Sequence, residues 1–222
     1  LAVAQLLKPI EKDLNFGLKL IFQPSEETLP GGASVMINEG VLENPKLDFM
    51  LGAHVLPELE VGKFGFKSAQ YMASGDEIFI EIIGKGGHAA MPEKLNDPVV
   101  AAAQLILALQ QIVSRNASPQ IPAVLSFGRF IANGRTNVIP DIVEIEGTFR
   151  TFDENQRFRL HQSMQQICNG ISASYGVKCI LKIVNGYPSV YNNEKLSEQI
   201  ISSFELNFNP EQIVKLPIRM TT

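Results

Sequence analysis

The chain has 222 residues, a formal net charge of −4 at pH 7 and 45% hydrophobic residues, a composition typical of soluble globular proteins. A mildly acidic balance without a dense Lys/Arg stripe argues against nucleic acid as a partner. No apolar run is seen that reaches the roughly 18 to 20 residues of a membrane span, and no basic segment followed by an apolar one opens the chain. We therefore expect no membrane partner, a cytoplasmic location, and chemistry on small molecules or peptides.

The first part of the chain, residues 1–70, predicts a strand, a helix and a second strand. A helix-like segment, Leu1–Leu14, precedes a buried strand at Gly17–Phe22. A helix over Gly32–Glu39 and a strand ending at Ala53 follow. The right-handed crossover of such a unit makes its two strands parallel within one sheet.

Three side chains with metal or proton chemistry follow the two predicted strands. Glu26 and Glu27 come after the first strand, and His54 comes after the second. Ligands bind at the carboxyl edge of open parallel sheets, so we expect the three side chains to converge there. Of two adjacent carboxylates, one can bind a divalent cation while its neighbour moves a proton, which indicates a hydrolytic metal site. Taken alone, the Glu pair also fits a solvated loop, and His54 a core histidine.

The second part, residues 71–186, predicts an α+β domain with the element order βαββαβ. This order matches a ferredoxin-like domain, in which both helices cover one sheet face and leave the other free. Asp97 and Pro98 are typical of a helix start. The predicted strands are Glu77–Ile83, Ala123–Phe130, Ile142–Phe149 and Lys178–Val184, and the second helix spans about Leu160–Tyr175.

The third part, residues 187–222, predicts a helix over Asn193–Leu206 and a short strand at Ile213–Lys215. We infer that the second part is inserted into a fold made by residues 1–70 and 187–222. The connectors Phe66–Ser74 and Asn185–Asn192 would then be paired hinge crossings.

Five short motifs follow one another along the chain: Phe22–Glu27, Gly31–Ala33, Gly52–Val55, Gly84–Pro92 and Asn137–Asp141. In this order they resemble the metal-dependent amidohydrolases. This group contains hippurate hydrolase, bacterial N-acyl-L-amino acid amidohydrolases and plant auxin-conjugate hydrolases, and it is related to aminoacylase and carboxypeptidase G. The resemblance implies an α/β fold: an open, largely parallel sheet of a metallopeptidase-like catalytic domain with an inserted ferredoxin-like lid or dimerisation domain.

The resemblance also implies roles for particular residues. Glu26 is similar in position to the general base, and Glu27 and His54 to metal ligands. His88 is implied to reach the substrate carbonyl oxygen, and Asn137 to bind the carboxylate of the substrate. The implied reaction is hydrolysis of the amide bond of an N-acyl amino acid with two divalent ions, Zn, Mn, Co or Ni.

The sequence departs from the family pattern at both ends. Relatives carry further metal ligands before the position of Leu1 and after that of Thr222, whereas a two-ion site needs about five or more protein ligands. We therefore expect this chain to be part of a longer polypeptide. The alternative is a non-catalytic homologue whose inserted domain serves in dimerisation or ligand binding, and a homodimer is left open. RNA binding is disfavoured because the first strand of the insert carries Glu77 and Glu81.

His88 has a structural alternative, and His161 and Arg150 are expected to have structural roles only. His88 could simply cap a turn in its glycine-rich segment. His161 lies with other polar residues along one side of its predicted helix, so we expect it to be solvated. Arg150 shares a strand face with Glu144 and Glu146, so charge pairing across strands accounts for it.

Overall fold

A computed structural model describes residues 2–28 and 31–221 of the chain. The chain forms two compact units, residues 1–56 and residues 57–222.

Within its described residues, the first unit contains short helices joined by irregular chain. Helix α1 spans Ala2–Leu7 and continues as a 3₁₀ helix over Lys8–Asp13, where Pro9 removes a backbone N–H donor. Helix α2 spans Gly32–Asn38. The helix predicted near the N-terminus is thus present in two pieces, and Leu1, where it was predicted to begin, lies outside the described residues.

The prediction of two buried parallel strands in this unit is wrong. Neither residues 17–22 nor the run ending at Ala53 forms a hydrogen-bonded strand. Their apolar side chains are largely exposed, for example Phe22 at 64% and Leu51 at 61%. A strand needs a neighbour that completes its ladder of backbone hydrogen bonds, and neither segment pairs with another among the described residues.

The second unit contains ten strands and three α-helices within its described residues. The helices are α3 (Pro98–Leu109), α4 (Glu154–Tyr175) and α5 (Glu194–Glu205). The strands are β1 (Phe64–Phe66), β2 (Ala69–Met72), β3 (Asp76–Ile83), β4 (Gly87–His88), β5 (Ala123–Ile131), β6 (Val138–Ile139), β7 (Ile142–Thr151), β8 (Lys178–Asn185), β9 (Val190–Asn192) and β10 (Ile213–Lys215).

A four-stranded antiparallel sheet with the order β5–β7–β3–β8 forms the centre of this unit. Alternate residues of β3 point to one face, because successive side chains of a strand point to opposite sides. The helices α3 and α4 cover this face. The buried core between them includes Ile78, Ile80, Ile82, Leu105, Leu109, Val143, Ile145, Phe149, Leu160 and Met164.

Side-chain caps define where the two core helices begin. The carboxylate of Asp97 accepts hydrogen bonds from the backbone N–H groups of Val99, at 2.8 Å, and Val100, at 3.3 Å. The predicted start at Asp97 and Pro98 is therefore confirmed. Asp153 caps α4 in the same way through the N–H of Gln156.

Short strand pairs flank the four-stranded sheet. Strands β2 and β9 pair antiparallel, and β1 and β10 form the parallel pair among the described residues. The two connectors predicted as hinge crossings therefore contain a hydrogen-bonded ribbon, which was not predicted. A cluster of aromatic rings packs α5 against β1 and comprises Phe64, Phe66, Phe204 and Phe208.

The sequence predicted no apolar run long enough to span a membrane. One described segment, Pro98–Asn116, has the length and mean hydropathy of a membrane span, a test that the core helix of a globular protein also passes. Ala101, Ala102 and Leu105 of this segment are fully buried against the sheet, which accounts for its apolar character.

Replacing Leu105 by Ala should lower the free energy of unfolding by about 2–5 kcal/mol, because a fully buried side chain leaves a cavity. Leu107 on the same helix is 68% exposed, so Leu107→Ala is the matched control and should change stability by less than about 0.5 kcal/mol. Urea denaturation of both variants measures the difference. Equal losses would contradict the packing of α3 against the sheet.

Candidate active site

Glu26 and Glu27 lie side by side in an exposed turn of the first unit. The N–H of Thr28 donates to the carbonyl of Ser25 at 3.3 Å and closes this turn. The turn packs closely on the start of α2, where a Cβ at Gly32 would lie 2.0 Å from the Pro24 carbonyl oxygen. A larger residue at position 32 would push the turn away, so glycine is required there.

His54 is exposed, and its ring is oriented by the backbone. The Nδ1 atom lies 2.5 Å from the Val55 carbonyl oxygen. A carbonyl oxygen can only accept, so Nδ1 carries the hydrogen and the neutral ring keeps its lone pair on Nε2. This is the arrangement found for metal-binding histidines, whose second nitrogen donates to a carbonyl or carboxylate.

In the second unit, the glycine-rich segment before His88 pairs with the segment after Asn137. Strands β4 and β6 place His88 opposite Val138. The carboxylate of Asp141 accepts from the N–H of Gly86 at 2.8 Å and holds the two segments together. A Cβ at Gly86 would lie 2.3 Å from the Ile139 carbonyl oxygen, so the close approach requires glycine.

The ribbon of β4 and β6 brings two of the predicted site residues together. The N–H of Ala89 donates to the carbonyl of Asn137 at 3.0 Å, which places His88 and Asn137 on neighbouring segments. Both side chains are exposed. The N–H of Ala90 donates to Nδ1 of His88 at 3.1 Å, so the neutral ring carries its hydrogen on Nε2. The Nε2 atom of His88 is thus a hydrogen-bond donor, whereas the Nε2 atom of His54 carries a lone pair that can bind a metal.

Glu26, Glu27 and His54 are not assembled into a complete metal site by the described residues. Residues 2–28 and 31–221 contain no group of three or more His, Cys, Asp or Glu side chains that could hold an ion. The expected convergence of these residues at a sheet edge is therefore not found. The carboxylate of Glu27 and the free Nε2 of His54 nevertheless fit a divalent cation such as Zn²⁺ in donor type.

The prediction that His161 is solvated is wrong. Its ring is 12% exposed, and Nε2 lies 2.8 Å from Oδ2 of Asp76. Arg157, four residues earlier on α4, also binds this carboxylate and is 3% exposed. The sequence did not reveal Asp76 as the partner of these two residues. The helical spacing of Arg157 and His161 places both on one polar face of α4, but it gives no information about which residue of another segment packs against that face.

Hydrogen bonds keep the buried Asp76 carboxylate ionised. Burial alone would raise its pKa, but donors from His161, Arg157 and the N–H of Gly186 lower the pKa to about 2. The carboxylate is therefore charged at neutral pH.

Comparison with known proteins gives the family. The model of peptidase family M20/M25/M40 matches residues 1–222, so the chain belongs to this family. An N-acyl-L-amino acid amidohydrolase of Geobacillus stearothermophilus is 40% identical over 195 residues, covering 88% of this chain and 52% of that protein. A hippurate hydrolase of Campylobacter jejuni is 41% identical over 184 residues, covering 83% of this chain and 48% of that protein.

Solved structures agree with this family assignment. A protein of methicillin-resistant Staphylococcus aureus is similar with a TM-score of 0.87 and 30% identity, covering 99% of this chain and 57% of that chain. The Bacillus subtilis protein YXEP, a dinuclear metal-binding peptidase of the M20 family, has a TM-score of 0.71 and 31% identity, with coverages of 98% and 53%. The chain spans about half the length of the curated relatives it matches.

The two exposed histidines should have opposite neutral tautomers. Nitrogen-15 NMR of histidine-labelled protein, recorded above the imidazole titration range, should show the hydrogen on Nδ1 for His54 and on Nε2 for His88. The chain has three histidines, so the signals lost in His161→Gln and in His88→Gln assign all three rings. The same tautomer at both rings would contradict the hydrogen bonds to Val55 and Ala90.

Proposed function

We propose that the protein containing this chain hydrolyses the amide bond of N-acyl amino acids with divalent metal ions. The observation that carries the proposal is the family match over all 222 residues. The tautomers of His54 and His88 are compatible with the roles proposed for these two residues. The relatives named as an N-acyl-L-amino acid amidohydrolase and a hippurate hydrolase support this substrate class.

Glu27 and His54 would hold the metal together with further ligands. A carboxylate oxygen and a neutral imidazole nitrogen are suited to Zn, Mn, Co or Ni alike. A bound divalent ion supplies a Lewis acid that polarises the amide carbonyl and acidifies a water molecule. The similarity to YXEP, a dinuclear metal-binding peptidase, supports two ions in the intact protein.

Glu26 would move the proton. Its carboxylate is exposed in the turn beside Glu27, within one residue of the proposed ligand. In the proposed reaction it takes a proton from the attacking water and delivers it to the leaving nitrogen. A carboxylate can serve both steps because it is a base in the first and an acid in the second.

His88 and Asn137 would bind the substrate. The Nε2–H of His88 donates to the oxygen of the amide carbonyl, where negative charge grows as water attacks. The side-chain amide of Asn137 donates to the carboxylate of the substrate. Their neighbouring positions on β4 and β6 support a shared role.

The domain assignment is part of the same proposal. Residues 71–186 would be a ferredoxin-like lid inserted into a catalytic domain formed by residues 1–70 and 187–222. The order β5–β7–β3–β8, with two helices on one face, supports a ferredoxin-like lid. Closure of such a lid would exclude water from the substrate that His88 and Asn137 bind. A homodimer through the lid and a cytoplasmic location stay predictions.

Glu26→Gln should abolish most turnover and leave the metal content unchanged, because it removes the base and leaves Glu27 in place. Glu27→Gln is the matched control, with the same chemical change one residue away, and should lower the metal content. Metal analysis of both purified proteins and hydrolysis of N-acetyl and N-benzoyl amino acids measure the two effects. Loss of metal in the Glu26 variant instead would reverse the two roles.

His88→Ala should lower kcat by about 100- to 1000-fold, the loss typical of one oxyanion donor. KM should change much less if the hydrogen bond strengthens in the transition state. Steady-state kinetics of the intact protein measure both constants. An unchanged kcat would assign His88 to the turn alone.

The same assays separate the enzyme from its alternative. A non-catalytic homologue binds no divalent metal and shows no hydrolysis that a chelator abolishes. Either absence in the intact wild-type protein would overturn the proposed function.

A further inference from the structure

A buried carboxylate joins three segments of the second unit. Oδ2 of Asp76 accepts from Nε of Arg157 at 3.0 Å and from Nε2 of His161 at 2.8 Å. Oδ1 accepts from Nη2 of Arg157 and from the N–H of Gly186, the latter at 3.1 Å. The Asp76 side chain is 0% exposed, so these four donors replace the water that the carboxylate would otherwise bind.

The cluster lies where the chain enters and leaves the four-stranded sheet. Asp76 is the first residue of β3, and Gly186 directly follows β8. Just outside them, the N–H of Gly75 donates to the carbonyl of Tyr187 at 3.1 Å. The two connectors, residues 66–74 and 185–192, are therefore adjacent at this point. The second connector contacts the cluster directly through Gly186, and the first is held beside it through the Gly75–Tyr187 hydrogen bond.

The first turns of α4 hold the second connector from the other side. Nη2 of Arg157 donates to the Gly186 carbonyl at 3.1 Å, and its Nη1 donates to Glu154 at 2.8 Å. Glu154 in turn accepts from the N–H of Ser189 at 3.2 Å. One helix thus binds the connector at two points through charged groups.

We propose that Asp76, Arg157 and His161 form a crossing clamp, a positioning cluster that holds the start of β3 and the second connector to α4. The clamp thereby sets the orientation of residues 76–186 relative to the ribbon of β2 and β9, with the first connector held beside the second by the Gly75–Tyr187 hydrogen bond. This role rests on the proposed function insofar as the orientation governs how His88 and Asn137 meet the substrate. None of the three residues is required to touch the substrate.

The chemistry of the cluster favours positioning over general packing. Buried charges cost desolvation, and apolar residues of similar volume often stabilise a fold as well or better. Charged partners, however, impose directional geometry, because each donor must point at a particular oxygen. The cluster applies this geometry to the two places where the chain crosses between the sheet and its flanking ribbon.

His161 gives the cleanest test, since Asp76 keeps the donors of Arg157 and Gly186 when His161 changes. His161→Met fills similar space without a donor, whereas His161→Gln offers an amide N–H at similar reach. Both residues are good helix formers, so α4 is retained in each variant. Asp76→Asn is a second, stronger variant that removes the charge itself.

Hydrogen exchange reports on the clamp directly. In His161→Met, amides in residues 68–75 and 185–192 should exchange about tenfold faster, as expected for loss of one hydrogen bond to a charged group. Residues 143–149 of β7 should exchange as in wild type, and His161→Gln should restore slow exchange at the connectors. Asp76→Asn should accelerate the same two segments further.

Unchanged exchange at the connectors in His161→Met would overturn the clamp. Equal acceleration in residues 143–149 would also overturn it, because the cluster would then support the whole sheet. If Asp76→Asn does not fold, the comparison of Met with Gln at position 161 still decides the question.

Kinetics of the intact enzyme test the positioning role. With an N-acetyl amino acid, His161→Met should lower kcat about tenfold with little change in KM, and His161→Gln should recover it. Faster exchange at the connectors with unchanged kcat would overturn the positioning role. If the wild-type enzyme hydrolyses no N-acyl amino acid, the proposed function fails, while hydrogen exchange still decides whether the clamp exists.

Discussion

The second unit depends on covering one apolar face of a four-stranded sheet. Helices α3 and α4 supply the cover, and the alternation of Ile78, Ile80 and Ile82 along β3 determines which face they occupy. Burial of this face also fixes the register of the strands, since a slip by one residue would turn the isoleucines toward solvent.

The register of the sheet in turn creates the candidate substrate-binding ribbon. Ile83 at the end of β3 pairs with Ile142 at the start of β7. The chain leaving β3 and the chain entering β7 are thus side by side, and they pair again as β4 and β6. The packed core therefore fixes the backbone positions of His88 and Asn137 through hydrogen bonds between these segments, although neither side chain contributes to the core.

The two units differ in how completely their apolar residues are buried. In residues 57–222, the aromatic cluster of α5 and the sheet core both find partners within the unit. In the described part of residues 1–56, the runs that resemble strands have no ladder partner and stay exposed. An apolar run indicates that a segment is suited to burial. It does not show which other segment will pack or pair with it, because that depends on residues far away in the sequence.

The sequence by itself determined the elements whose signals are local. The cap at Asp97 and the helix before Gly176 follow from neighbouring residues, and the motifs around Glu26 and His88 were sufficient to suggest the family. These features need few contacts from distant parts of the chain.

Only the tertiary structure decided which distant groups meet. It showed the ribbon joining His88 to Asn137 and the burial of His161 against Asp76. It also showed that the runs before Glu26 and His54 form no strands. The physical reason is common to all of these features: hydrogen bonds between segments depend on three-dimensional proximity, which periodicity along one segment does not encode.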